Sequence, residues 1–548
     1  MKYEIMDIDA LGRIGKLEVN NKQIITPTIF PVVHPFKNVI HPSTLKKFGA
    51  QCIFTNAYII YQKENLREDV KKKQIHNFLG YDGLIATDSG AFQQYMYHDS
   101  ELNVSPEEIE RFQELIGSDF PVILDLPVQL DDEYSVAKSK VLSTIERAKD
   151  NIRRRTNRNC EWFGPIHGAH YQDLLKYSTI EMSKLDFGIY AIGGLVKAFL
   201  DYRFDLTIKI LLNVKKNILS NKPLHMFGLG LPQFFSLAVA CGCDLMDSAA
   251  YILYAKENRY FTLSTGTKQL DELEEFPCYC PICSDYTPKE LKNLNKKLKI
   301  ELLAKHNLFL SFSELRTIRQ AIREGNLWEL VEQRIMAHPN LVKAASILKD
   351  EDLMFECHEK IYKKHGQLLT TTVSFYRPLL DRFLNRIKNN YRVPDGVRFL
   401  LILPELDTRI ESSPTLQDWL ERIDKNNIVP REYIHIIFIS QHFGLIPFEL
   451  ITTYPMGQYE SFIPSNEEDL LFNKMIKNRL VFLKKNLKNY QKVGIIIPKN
   501  YINQFGEDEK FIGSKFIQRL NLTLKNKFKS NFQTSHRLDE ILQFFRVD

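Results

Sequence analysis

Cysteine is scarce and poorly placed for cross-linking: 548 residues carry eight. Three of them, Cys278, Cys280 and Cys283, crowd into "EEFPCYCPICSDY"; Cys52, Cys160, Cys241, Cys243 and Cys357 are an odd remainder with no framework spacing. That excludes a disulfide scaffold and makes a reducing cytoplasm the expected setting. Long apolar runs are missing too. The most apolar stretch, "MFGLGLPQFFSLAVACGC", is broken by Gly228, Gly230 and Pro232, as suits a packed core rather than a membrane span. The opening "MKYEIMDIDALGRIG" has acidic residues where a secretory leader is apolar, so no signal peptide is expected. Internal repeats and low-complexity tracts are also absent. With 44% hydrophobic and 26% charged residues the chain can build a large core, and its length suggests roughly three or four domains.

The formal net charge of +6 hides an asymmetry. Leu471 to Asp548 holds 16 Lys and Arg against 6 Asp and Glu, an excess of +10, so residues 1–470 carry 6 − 10 = −4. Aromatics interleave with the lysines in "LKKNLKNYQK" and "LKNKFKSNF", and a second cluster gathers Arg153, Arg154, Arg155 and Arg158. Both suggest a polyanionic partner, nucleic acid above all.

From residue 28 to about 255, short apolar runs ("TIFPVV", "QCIFTNAY", "GLIATD", "PVILDLP", "WFGPIHG", "GIYAIGG", "PLHMFGLG", "CDLMDSAAY") alternate with helical segments. One of these, "SPEEIERFQELIG", opens on Ser105 with Glu108 three positions on, a capping box. Strand alternating with helix implies a parallel sheet, and about eight strands in about 230 residues predict an α/β fold of the (β/α)8 TIM-barrel type. Asp88, Asp125, His167, the pair Gly193 and Gly194, and Asp247 fall at the carboxyl ends of five different predicted strands, the rim where barrel enzymes assemble their sites.

The C-x-C-x2-C loop suits zinc, which takes four nitrogen or sulfur ligands in a tetrahedron. The first downstream histidine is His306, on a predicted helix, so Cys278, Cys280, Cys283 and His306 are the expected ligands of one structural Zn2+ per chain. The expected organisation is a catalytic barrel domain over 1–345 with a zinc subdomain from about 270 to 345, a helical connection over 346–394, a small α/β domain over 395–505, and a basic helical tail over 506–548.

Together, "TDSGAFQ", "LDLP", "AIGGLV", "GCDLMDSAAYILYA", "FPCYCPIC" and "IRQAIREGNLWELV" resemble the archaeal tRNA-guanine transglycosylases, and the similarity covers most of the chain. The later "GLIPFELITTYPMGQYE" resembles the first domain after the barrel in archaeal members. The resemblance implies exchange of guanine at position 15 of the tRNA D-arm for 7-cyano-7-deazaguanine (preQ0), the first step of archaeosine formation. It implies Asp247 as nucleophile of a covalent ribosyl intermediate and Asp88 as general acid/base, with the opposite labelling left open. The base pocket it implies comprises Ser89, Asp125, His167, Gly193, Gly194 and Leu195. Members usually have glutamine where this chain has His167, and archaeal members have "GAGHP" where it has "GLGLP" with Leu231. In the glutamine's place, the N–H of His167 is expected to serve the base carbonyl. The usual RNA-binding PUA domain is not expected after "IIIPKN": either a separate PUA-domain protein supplies it or recognition is reduced. The other expected partners are tRNA, guanine and preQ0, and a second copy of this chain; no membrane is expected. Two other readings stay open: a paralogue acting on another base or on DNA, and an inactive tRNA-binding subunit.

Overall fold

The computed structural model describes all residues except 92–103, 157–158, 219–220, 357, 360–362, 405–413, 441–442, 462–485, 498–500, 503–507, 510–513 and 547–548. Arg158, and the part of the basic C-terminal stretch from 471 to 485, lie outside the described residues. The chain is a mixed α/β protein that divides into two compact units, Met1–Ile347 with His358–Lys360, and Leu348–Cys357 with Ile361–Asp548. No described helix is long and apolar enough to cross a membrane.

The first unit opens with an antiparallel sheet of β1 (Lys2–Asp9), β2 (Gly12–Val19) and β3 (Lys22–Ile25). Eight short strands follow: β4 (Thr28–Pro31), β5 (Cys52–Asn56), β6 (Leu84–Asp88), β7 (Phe120–Pro121), β8 (Phe163–Ile166), β9 (Ile189–Ile192), β10 (Leu224–Met226) and β11 (Leu245–Ser248). They form two parallel ladders, β4-β11-β10-β9-β8 and β5-β6-β7. Isolated parallel bridges, Val32 with Phe54 and Val122 with Phe163, lie between these ladders. Among the described residues no sheet closes on itself as a continuous ladder.

Burial explains why these segments are strands. Nearly every residue of β4 to β11 is buried, as expected where helices cover one face of a parallel sheet and a core fills the other. Phe30, Phe54, Phe120 and Phe163 share one core cluster with Leu17, Val19 and Ile24 of the opening sheet. Helices start where the sequence places caps: Ser105 Oγ accepts from the N–H of Glu108 and Glu108 accepts from the N–H of Ser105, heading Pro106–Leu115. Asn56, the last residue of β5, caps Ala57–Tyr61 through Oδ1 and the N–H of Ile59.

The hairpin of β12 (Arg259–Thr262) and β13 (Gly266–Gln269) leads to the cysteine loop and then to the long helix Lys296–Glu324. Asn307 of that helix is fully buried and binds three backbone groups, accepting from Phe261 N–H and donating to the carbonyls of Tyr251 and Arg259.

In the second unit β15 (Phe399–Pro404), β16 (Ile434–Ser440), β17 (Gly444–Pro447), β19 (Lys492–Ile496) and Phe532–Ser535 form one sheet in the order β17-β16-β15-β19-(532–535), parallel except for β16 with β17. The stretch 346–394, read as a helical connection, also carries β14 (Gln367–Leu369), which pairs with β18 (Tyr459–Ser461). Its helix Pro378–Asn390 buries Leu380, Phe383 and Ile387 in this unit's core. The basic end contributes the edge strand Phe532–Ser535 and a helix whose Leu538, Ile541 and Leu542 are core residues. The spacing of those apolar residues, not the surrounding lysines, decides the packing.

Candidate active site and metal centre

Seven residues singled out at strand ends or in the glycine turns, Asp88, Asp125, His167, Gly193, Gly194, Leu231 and Asp247, line a single cavity of about 510 Å³ together with Asn56, Phe54 and Phe227. Parallel strands place their carboxyl ends on one side, which is why residues far apart in sequence meet there. Ser89 and Leu195 are not among the lining residues: Ser89 is fully buried and donates its hydroxyl to the Ile123 carbonyl at 2.9 Å, while Leu195 is 1% exposed.

The three carboxylates differ in their partners. Asp88 Oδ2 accepts from Asn56 Nδ2 at 2.8 Å and Oδ1 from the N–H of Gly90 at 3.2 Å. Burial, and after it the charges of Asp125 and Asp247, oppose those donors and push the Asp88 carboxyl up to about 7. Asp125 is buried, and its Oδ2 meets Nε2 of His167 at 2.5 Å. The ring nitrogen expected to face a ligand carbonyl is therefore engaged by a carboxylate, and Nδ1 of His167 is buried without a hydrogen-bond partner. A Cβ on Gly193 would lie 2.3 Å from Cε1 of that imidazole, so the ring packs directly on glycine backbone. Gly194, at φ +76°, has the left-handed conformation that favours glycine, and a Cβ there would meet the Val128 carbonyl at 2.3 Å.

Asp247 accepts twice on one oxygen: Oδ1 takes Nε2 of His225 at 2.8 Å and the N–H of Gly228 at 3.2 Å. His225 is the residue that sequence reasoning missed. No sequence signal marked it: only the register of β10 on β11 sets His225 opposite Leu245, with Asp247 two residues further on, on the same face. Asn56 was also missed, hidden in a strand end where its capping role would have explained it alone.

Cys278, Cys280, Cys283 and His306 come together with their ligand atoms all within 4.8 Å of one another, a group that can hold a metal ion. Sγ of Cys280 lies 3.5 Å from Sγ of Cys283, and Nδ1 of His306 is 3.4 Å from both. The edges of a tetrahedral zinc site with such ligands are about 3.5–3.8 Å, from zinc–sulfur and zinc–nitrogen bonds of about 2.3 and 2.0 Å. Nε2 of His306 faces the Phe261 carbonyl at 3.1 Å. This fixes the proton on Nε2 and frees Nδ1 as a ligand atom. The ring of Tyr260 stacks on His306 at 3.7 Å, and its hydroxyl lies 3.3 Å from Sγ of Cys283.

Residues 8–340 match the family model described as queuine tRNA-ribosyltransferase. The chain is 40% identical over 522 residues to a tRNA-guanine(15) transglycosylase of Methanocaldococcus jannaschii, covering 93% of this chain and 76% of that one. It is 39% identical over 534 residues to the protein of that name from Methanococcus aeolicus, covering 95% and 78%. To the Pyrococcus abyssi protein of that name it is 43% identical over 386 residues, covering 70% and 65%. A convergent carboxylate cavity, a Cys3His cluster and a family match over most of the first unit agree: the chain belongs to the queuine tRNA-ribosyltransferase family.

Proposed function

We propose that this chain is a pentosyltransferase that exchanges guanine at position 15 of the tRNA D-arm for 7-cyano-7-deazaguanine, the first step of archaeosine formation. The observation that carries the reading is the meeting of Asp88, its carboxyl pushed up to about 7, with Asp125 and Asp247 in one cavity. A carboxyl that titrates near neutrality can both give and take a proton, which base exchange requires. The target nucleotide leaves its stack to enter the cavity. Asp247 attacks C1′ through Oδ2, the C1′–N9 bond breaks, and Asp88 delivers the proton the departing guanine takes up. The incoming base then attacks C1′, its proton passes to Asp88, and the electron pair of the ester bond returns to Asp247. Two displacements retain configuration at the sugar, with no nucleotide cofactor.

Asp125 is the acceptor for the N–H groups of a guanine-like edge, held in place by His167. Gly193 and Gly194, with Leu195 beside them, let backbone approach the base, and Ser89, bonded to the Ile123 carbonyl, braces the segment that carries Asp125. Bridges between the two ladders support a closed (β/α)8 barrel as the frame of the site. The Cys3His cluster is the site of a structural Zn2+: with four protein ligands no position remains for water or substrate, so the ion would join the cysteine loop to helix Lys296–Glu324 and take no part in the exchange. The setting is the cytoplasm, and the macromolecular partner is tRNA. Incorporation of radiolabelled guanine, or of 7-cyano-7-deazaguanine, into homologous tRNA but not into duplex DNA tests the reading; label appearing only in DNA, or nowhere, overturns it.

A further inference from the structure

His225 is fully buried, yet it is not an ordinary core residue. The rings of Phe30, Phe54, Phe163 and Phe227 surround it, with centroids 5.7, 6.3, 5.2 and 5.0 Å away. Inside this aromatic box Nδ1 has no hydrogen-bond partner, and Nε2 meets Oδ1 of Asp247 at 2.8 Å. A proton on Nδ1 would be a buried, unpaired N–H, whereas a proton on Nε2 has a carboxylate to bond. The box thus holds one tautomer, with Nε2–H donating to Asp247. The N–H of Gly228 reaches the same oxygen at 3.2 Å, and Oδ2 has no hydrogen-bond partner among the described residues.

We infer that His225 is a positioning residue that makes the two oxygens of Asp247 unequal, reserving Oδ2 for the bond to C1′ and stabilising Oδ1 when the carboxylate leaves. The inference rests on the ribosyl transfer proposed above. In the first step Oδ2 forms the bond to C1′ as the bond to N9 breaks, and Oδ1 becomes the ester carbonyl. In the second, N9 of the incoming base bonds C1′, the C1′–Oδ2 bond breaks with its electron pair returning to the carboxylate, and the base proton goes to Asp88. A hydrogen bond to Oδ1 is stronger to the carboxylate than to the ester. It therefore favours discharge of the ribosyl ester and keeps the intermediate from accumulating.

The test compares wild type with His225→Phe, which refills the box without a donor, and His225→Gln, which returns an amide N–H near the position of Nε2. With tRNA bound, the covalent adduct is trapped on a denaturing gel, and its discharge is timed after a chase with free guanine. His225→Phe should discharge about tenfold to a hundredfold more slowly, as for loss of one hydrogen bond to a charged group. It should also trap a larger fraction of enzyme and lower kcat and the KM for tRNA together, while His225→Gln stays near wild type. Discharge at the wild-type rate in His225→Phe overturns the inference, as does a Gln variant as slow as the Phe variant, which would assign the effect to packing. His225→Met serves as a second donor-free variant if the Phe protein does not fold. Wild-type enzyme that exchanges no base overturns the underlying reaction instead, and this inference with it.

Discussion

Asn56 donates to Asp88 across 2.8 Å while the same side chain caps the helix that follows β5. The acid/base candidate is therefore tied to a secondary-structure boundary. Even with this donor, burial beside Asp125 and Asp247 leaves the carboxyl at about 7 rather than at its ordinary value of 3.8. In the exchange proposed above the protonated form delivers the proton to departing guanine, so kcat/KM for tRNA should fall as pH rises through about 7. Asp88→Asn should abolish exchange at every pH. A pH–rate series on both proteins checks this.

The same shift makes a stability prediction. A carboxyl with a folded-state pKa above its unfolded value binds more protons in the native state, so folding stability is lost as pH rises from about 4 to about 7. Asp88→Asn removes that cost. Its gain over wild type should be larger at pH 8 than at pH 5, on the order of 2 kcal/mol. Urea unfolding at the two pH values measures it, and a gain independent of pH would contradict the raised pKa.

Asp247→Ala should eliminate both exchange and the covalent RNA adduct, with tRNA affinity within about threefold, since it removes the proposed nucleophile but little of the charge complementarity. Denaturing gels and filter binding report the two properties separately.

Removing a metal ligand should lower stability and metal content together, because binding and folding are coupled. Cys280 is fully buried and lies near both Cys283 and His306. Cys280→Ser should reduce bound zinc and shift the melting temperature downward in the same preparation; a stable, active, metal-free variant would reject a structural ion.

His167→Leu takes the partner from Asp125 and should weaken binding of the incoming base by about 1–3 kcal/mol, whereas His167→Gln, which keeps an N–H, should lose much less. Base titrations with the two variants compare them. Equal affinities would show that Asp125 holds its position without residue 167.

Neutralising charge tests the RNA-facing role of the basic end better than truncation, because Leu538, Ile541 and Leu542 belong to the core of the second unit. Lys525, Lys527 and Lys529 are exposed. Changing all three to Gln should reduce the slope of log affinity against log salt by about 2, if most of them contact phosphate. An unchanged slope would assign these charges to solubility.

What the sequence by itself determined was local and chemical. Alternating apolar runs and caps such as Ser105 with Glu108 marked the strands and helices, since the backbone's own hydrogen bonds and the periodicity of burial decide those. The metal cluster was equally legible, because three of its four ligands lie within six residues. Asp88, Asp125 and Asp247 stood out because carboxylates at the ends of buried strands are conspicuous. What only the tertiary structure decided was pairing across the chain. His225 looked like one polar residue in a core strand until β10 was laid against β11, and His167 looked like a ligand donor until Asp125 was found 2.5 Å from its Nε2. The same holds for the segment at 367–369, whose partner strand begins at Tyr459. Hydrogen bonds between side chains depend on distances of a few ångströms between residues tens of positions apart, and those distances are set by how parallel strands pair across long connections, which short stretches of sequence do not specify.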